Sequence, residues 1–500
     1  MRTADAEVRE LRALMRGWRR ARAEVRLVDA FSDAYIAIFA AAMLGAMCVN
    51  LVLTARSAIG SGCSTVGCSV ARDTLPWVSA VALLTAALVA ASLLGPLMVS
   101  PADGTWLLPA PISRAALLGP RLTRVTAVAV AAGVVVGALL AGLAGYPVSV
   151  VVAFTALLAG LCLAAAGFSA VAQSRWLHAT GGIARVLAGL LWVWLVLLAT
   201  GATAAVGRPT HRTAVGLTVA AVISWLAGAG LFVTARVHLP RMHRDRLMPG
   251  GVLLPNLSGA LASLDPALVF DILVSRKWRS RATVRPYRGG PRGAWALAWR
   301  DLIRLRRSPG SVVILTAAVV VPYVGSTLGL GKVDAPLAAL TAFLAGPSLC
   351  TSLRALSATE GLLRCLPMPG HIARWACVAV PGLCLVCWGL ATVPALHDAD
   401  LADTWSNTVI VAVAVGVAAT ASTVRWITAA PPNYALPMVS SPGGAIPPGL
   451  FTSAARGFDV LLLTTASLLL FSPASGAVVS LLASAVVLAV VLRPRTSVYG

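Results

Sequence analysis

Long apolar runs broken by short polar stretches dominate the chain. About 20 apolar residues cross the hydrocarbon core of a bilayer as a helix, and that length predicts about twelve spans. Six fall near 34–55, 76–99, 125–144, 148–170, 186–206 and 213–233. Six more fall near 311–330, 336–356, 376–396, 408–424, 458–472 and 476–492. Only Ser472-Pro473 separates the last two, so a broken or re-entrant hairpin is the alternative reading there. The pattern predicts an all-α polytopic membrane protein. It has a leader at 1–33, six-span halves at 34–233 and 311–492, a basic linker at 234–310 and a tail at 493–500.

Two segments ahead of spans follow a helical period instead. In 1–33, Leu11, Leu14, Trp18, Ala21 and Val25 recur on one side, with most arginines elsewhere. Near the end of the linker, Trp295, Trp299, Leu302 and Leu305 share a face, with Arg300, Asp301, Arg304 and Arg307 largely opposite. Both predict basic amphipathic helices lying in the membrane interface. The first is not read as a cleaved signal, because its charged lead is too long and the run behind it is long enough to span. Elsewhere in the linker, Pro240, Pro249, Gly250, Gly251 and Pro255 predict a broken, irregular chain.

A polar motif occurs twice at matching places. Asp103-Gly104 leads through Trp106 to Leu108-Pro109-Ala110-Pro111, followed by Ser113, Arg114, Arg121 and Arg124. Glu360-Gly361 leads to Leu366-Pro367-Met368-Pro369, followed by Arg374. A Gly-Pro precedes each, Gly95-Pro96 and Gly346-Pro347. With six spans per half, both halves enter the membrane from the same side. They are therefore parallel repeats about an axis along the membrane normal.

Composition removes the soluble alternatives. The chain is 58% hydrophobic and 12% charged, against about 25% charged in soluble domains. Its net charge is +22, and every basic residue except Lys277 and Lys332 is arginine. With the N-terminus inside, the outer loops hold only Arg56, Arg72, Arg208, Arg212 and Lys332 of the 40 basic residues. The loop bias of basic residues then puts both termini in the cytoplasm of a multi-pass protein of the cell membrane, where the arginines also meet anionic lipid. Nucleic-acid binding is not expected, because the aromatic residues sit in or beside the spans rather than forming stacking platforms.

Little in the chain points to chemistry of its own. Cys63 and Cys68 close a short outer loop. A disulfide there would contribute about 2 kcal/mol through loop entropy, and free thiols or a metal site fit the same spacing. The predicted spans hold no Asp, Glu, Lys or Arg away from their ends, which weighs against proton-coupled carriers and pumps. Gly325 to Val333 fails as a nucleotide-binding loop, since no Ser or Thr follows Lys332. Gly167-Phe168-Ser169 lacks the final glycine of an intramembrane protease loop. His397, Asp398, Asp400 and Asp403 read as a solvated acidic loop or, less simply, an outer divalent-metal site. No catalytic residue, cofactor or resident metal is expected.

The two Leu-Pro-x-Pro loops and the amphipathic segments ahead of each half resemble the membrane subunits of ABC-2-type exporters. That resemblance implies elbow helices at Leu11 and Trp18 and at Trp295, Trp299 and Arg300. It implies coupling helices carrying Trp106, Leu108, Pro109, Pro111 and Arg114, and Leu366, Pro367, Pro369 and Arg374. It implies a separate cytoplasmic ATPase, in two copies, as the energy source. The second loop departs from the family pattern, with Gly370 and His371 where Ser113 and Arg114 stand in the first. The whole chain also resembles a group of actinobacterial multi-pass proteins with the same fused layout. The expected function is an exporter permease. The alternatives are a non-transporting scaffold on a degenerate permease fold, and a secondary carrier.

Overall fold

The computed structural model describes residues 66–110, 113–175, 179–202, 211–262, 289–399, 404–429, 439–441, 444–446 and 456–493, with isolated positions in 10–17 and at 272 and 275. The predicted span 34–55, the leader positions Leu11 and Trp18, and the Cys63–Cys68 closure lie outside the described residues.

Apart from an antiparallel pair of three-residue strands, β1 (Val439–Ser441) and β2 (Gly444–Ile446), the described elements are helical. Among the described residues, nine helices are long and apolar enough to cross a membrane, or ten if one bent pair counts as a span. This is a multi-pass membrane protein. The chain divides into two compact units, Met1–Trp194 with Thr203–Pro255 and Leu195–Ala202 with Asn256–Gly500.

The first unit contains α1 (Val66–Leu94), α2 (Arg114–Leu143), α3 (Val148–Arg175), α5 (His211–His238) and, as far as Pro255, α6 (Arg244–Ala262), and α4 (Ala179–Ala199) follows α3 in the chain. The helix α3 is central, packing on α1, α2 and α5. Helices in lipid have no hydrophobic force to join them, so contact relies on small residues that let backbones approach. A Cβ at Gly133 of α2 would lie 2.8 Å from the Ala159 Cα of α3, and one at Gly228 of α5 would lie 3.0 Å from the Ala164 nitrogen. The indole N–H of Trp225 donates across the same α3–α5 contact to the Ala156 carbonyl at 3.0 Å.

The second unit opens with α7 (Ala294–Arg307), α8 (Gly310–Ala318) and α9 (Val320–Thr327), then α10 (Asp334–Ala345), α11 (Thr351–Ala358) and α12 (Glu360–Arg364). It continues with α13 (Gly370–Ala391), α14 (Val393–Asp398), α15 (Trp405–Thr428), α16 (Phe458–Leu470) and α17 (Pro473–Val491). Here α15 is central, touching α10, α13, α16 and α17. Of its apolar stretch, 72% is buried, against 11% for α4, so its Ala, Val, Gly and Thr side chains meet protein rather than lipid. Gly389 of α13 and Gly416 of α15 set their crossing. A Cβ at Gly416 would lie 2.7 Å from the Leu385 carbonyl, and one at Gly389 would overlap the Ala412 carbonyl oxygen.

Three predicted spans take other forms. The segment 336–356 is bent by 65° between Gly331–Ser348 and Thr351–Ala358, because Gly346-Pro347 turns the helix. The segment 458–472 is a 13-residue helix, about 20 Å long, followed by the tight Ser472–Pro473 turn into α17. Finally, α2 starts at Arg114 rather than near 125. Ser113 caps it by accepting from the Ala116 N–H at 3.3 Å, and Pro120 is carried inside.

The glycine crossings make a checkable contrast on one helix. Gly389→Ala should lower the thermal midpoint in detergent, since overpacking of this kind costs about 1–3 kcal/mol. Gly382→Ala on the same helix should not, because its nearest neighbour is the Thr420 methyl carbon at an ordinary 3.4 Å.

Candidate partner-docking loops

Upstream of each motif loop a Gly-Pro ends or bends a helix. At the first, Gly95 adopts φ 77°, a conformation glycine reaches without strain, and the chain runs non-helically from 95 to 100. Buried backbone groups there need partners, and side chains supply them. Gln173, at the end of α3, accepts from the Leu97 N–H at 3.1 Å and donates to the Leu97 and Arg246 carbonyls at 2.9 Å. Arg121 donates to the Met98 carbonyl at 2.9 Å and pairs with Asp103 at 2.6 Å. The Val99 N–H donates to the Leu247 carbonyl of α6 at 3.3 Å.

Beyond this break the chain makes a π-helical turn, Asp103–Leu107. Its start is held by the Ser100 hydroxyl, which accepts from the Asp103 N–H at 3.1 Å. Leu108 is buried with Leu97, Leu118 and Leu247, while Trp106 is 80% exposed. Pro109 is exposed as well. Pro111 lies outside the described residues. Arg114 is the first residue of α2, and its guanidinium donates to the Met242 carbonyl at 3.1 Å. The arginines at 114 and 121 thus brace the loop from within, and the surface it presents is Trp106 and Pro109.

The second loop is built differently. The short helix α12 replaces the π turn. Leu366 and Met368 pack with Leu363 and Leu297 against the core formed by Leu353, Leu356, Ala373 and Cys377. Pro367 and Pro369 are exposed, and Pro369 leads directly into α13. Arg374 donates to the Arg493 carbonyl at 3.1 Å. No aromatic residue stands in the place of Trp106; Leu362, 46% exposed, is the largest apolar side chain presented.

The helix α7 corrects the expected division of faces. Ala298, Asp301 and Leu305 are its buried positions, and it packs against α13. Asp301 accepts from the Ser352 hydroxyl and pairs with Arg304 at 3.3 Å. Arg304 also donates to Ser352 at 2.8 Å and to the Leu349 carbonyl at the bend. Burial pushes the Asp301 carboxyl up from its ordinary pKa, opposed by Ser352, then Arg304 and Arg300. Asp301 and Arg304 therefore face protein, not water. The apolar side left open carries Trp295 at 73% and Leu302 at 49% exposure, and Arg300 is exposed beside it. The protein-facing polar residues satisfy the bend, which a two-faced wheel drawn from sequence does not anticipate.

Sequence reasoning also missed α6. Pro249, Gly250, Gly251 and Pro255 lie inside this helix rather than breaking the segment. A Cβ at Gly250 would overlap the Leu94 carbonyl oxygen, and one at Gly251 the Val99 carbonyl oxygen. The paired glycines, read as punctuation, are the signal that this helix meets another backbone directly.

Among the described residues, no group of three or more His, Cys, Asp or Glu is placed to hold a metal ion. Neither the curated proteins nor the solved structures contain a match to this chain. A family model described as a family of unknown function, DUF6297, matches residues 68–437. That stretch holds both motif loops and well over half of the sequence, and the chain belongs to this family.

Proposed function

We propose that the chain is the permease subunit of an ABC-2-like exporter in the cell membrane, driven by a separate cytoplasmic ATPase bound to the Leu-Pro-x-Pro loops. The observation that carries this reading is Trp106. It is an 80% exposed tryptophan on a turn held at its start by the Ser100 hydroxyl and tied to α2 by the Asp103–Arg121 pair. A large aromatic side chain on a rigid support is the usual form of an interface anchor, and preorganisation lowers the cost of binding.

Three further features support it. In each unit the second long helix after the motif loop is the one the others pack around, as two parallel six-span repeats would require. The open side of α7, with Trp295, Leu302 and Arg300, suits a helix lying at the lipid surface. The arginine bias keeps both termini and both loops on the cytoplasmic side. The scaffold alternative keeps the same fold and lacks only the ATPase.

One observation favours the secondary-carrier reading instead. Asp334 opens α10 and is wholly buried, and neither carboxyl oxygen has a hydrogen-bond partner among the described residues. An ionisable residue inside a membrane protein is often there for function, and a carrier would use such a carboxyl to take up and release a proton.

Tagged protein purified in mild detergent should capture an ATPase from its native cells. Trp106→Ala should weaken that capture by about 2 kcal/mol, roughly thirtyfold in Kd, without lowering the thermal midpoint. Wild-type protein that captures no ATPase would remove the exporter reading in favour of the scaffold. Asp334→Asn separates the carrier: if pH-gradient-driven uptake into proteoliposomes is found, the variant should abolish it. Under the exporter reading the same variant leaves ATPase capture unchanged.

A further inference from the structure

We propose that α6 is a clasp that sets the pose of the first motif loop, with Gly250 and Gly251 as its positioning residues. The proposal rests on the docking reading above and says how the docking surface is held.

The two glycines touch carbonyls at the two ends of the non-helical break, Leu94 before it and Val99 at its far end. At the far end the Leu247 carbonyl of α6 also accepts from the Val99 N–H. One turn of α6 therefore grips the break at both ends by backbone alone. Any side chain at 250 or 251 would hold the two backbones apart, because packed interiors leave no room for an added methyl. The same turn reaches the presenting turn itself. A Cβ at Gly104 would lie 3.1 Å from the Met248 Cγ, so Met248 packs on the buried Gly104 side of the π turn, and Trp106 stands exposed on the same turn.

The clasp is tied in turn to the membrane helices. It follows α5 through the short turn Leu239–Arg241, and the Met242 carbonyl just beyond takes the Arg114 guanidinium from α2. Arg246 donates to the Gln173 carbonyl at 3.1 Å and to the Ser174 carbonyl, at the end of α3. A partner pressing on Trp106 thus meets α2, α3 and α5 together, where an unclasped loop would absorb the load by bending. The second loop is held by other means, the packing of Leu366 and Met368 into the core of its own unit.

Hydrogen exchange on the full chain in lipid nanodiscs tests the clasp without reference to any partner, since local opening is what exchange reports. Gly250→Ala and Gly251→Ala should speed exchange across 95–110 at least roughly tenfold. Gly230→Ala on α5, where nothing lies within 4 Å, should leave that segment at the wild-type rate. Met248→Ala keeps both glycine contacts and should speed exchange at 103–107 alone, which covers the case in which the glycine variants fail to fold. Wild-type rates across 95–110 in folded glycine variants would overturn the clasp, as would a wild-type rate at 103–107 in Met248→Ala. ATPase capture is read in parallel. Faster exchange together with weaker capture supports clasp and docking. Faster exchange with no capture by the wild type supports the clasp and discards the docking reading.

Discussion

A backbone amide or carbonyl left unpaired near hydrocarbon costs several kcal/mol. This constraint shapes both units where Gly-Pro interrupts a helix. At Gly95-Pro96 the freed groups of Leu97, Met98 and Val99 are taken by Gln173, Arg121 and the Leu247 carbonyl. At Gly346-Pro347 the Leu349 carbonyl is taken by Arg304, and the Ser348 carbonyl by the Ser311 hydroxyl at 3.1 Å. Each set of partners comes from elsewhere in its own unit. The breaks therefore bind distant segments together rather than loosening the chain. Beyond the first break stands an exposed tryptophan, and beyond the second a core-packed leucine. The first loop is tied to its break through the Asp103–Arg121 pair, and the second is seated by the packing of Leu366 and Met368.

The membrane class and most helices were legible because lipid imposes a single coarse rule: about 20 apolar residues per crossing. The same rule fails where a helix is not a straight crossing. The bend at Gly346-Pro347 and the 13-residue α16 have spans' composition but not spans' geometry, and hydropathy does not distinguish them. Helix starts were misplaced for a related reason. α2 begins with the polar stretch Arg114–Arg124, which hydropathy assigns to a loop although Ser113 caps it as a helix.

The motif loops were legible as repeated words, and their difference in presentation was not. Nothing in Leu108-Pro109 against Leu366-Pro367 says that one loop offers a tryptophan to solvent while the other folds Leu366 and Met368 inward. That depends on Asp103 meeting Arg121 and on α6 meeting the break, contacts between residues 18 or more apart in the chain. Gly250 and Gly251 were misread because glycine has two uses. It punctuates chains, and it lets backbones touch; only the neighbour decides which. Asp301 was misassigned to a wet face because its partner, Ser352, lies 51 residues away.

Docking requires Trp106 to stand in the cytoplasm, where a soluble ATPase can reach it. The most direct test is labelling of Trp106→Cys, in a background with the native cysteines replaced, by a maleimide that does not cross membranes. A cytoplasmic loop predicts no labelling in intact cells and full labelling in inverted membrane vesicles. Labelling from outside intact cells would place the loop on the wrong face and contradict both the orientation and the docking it supports.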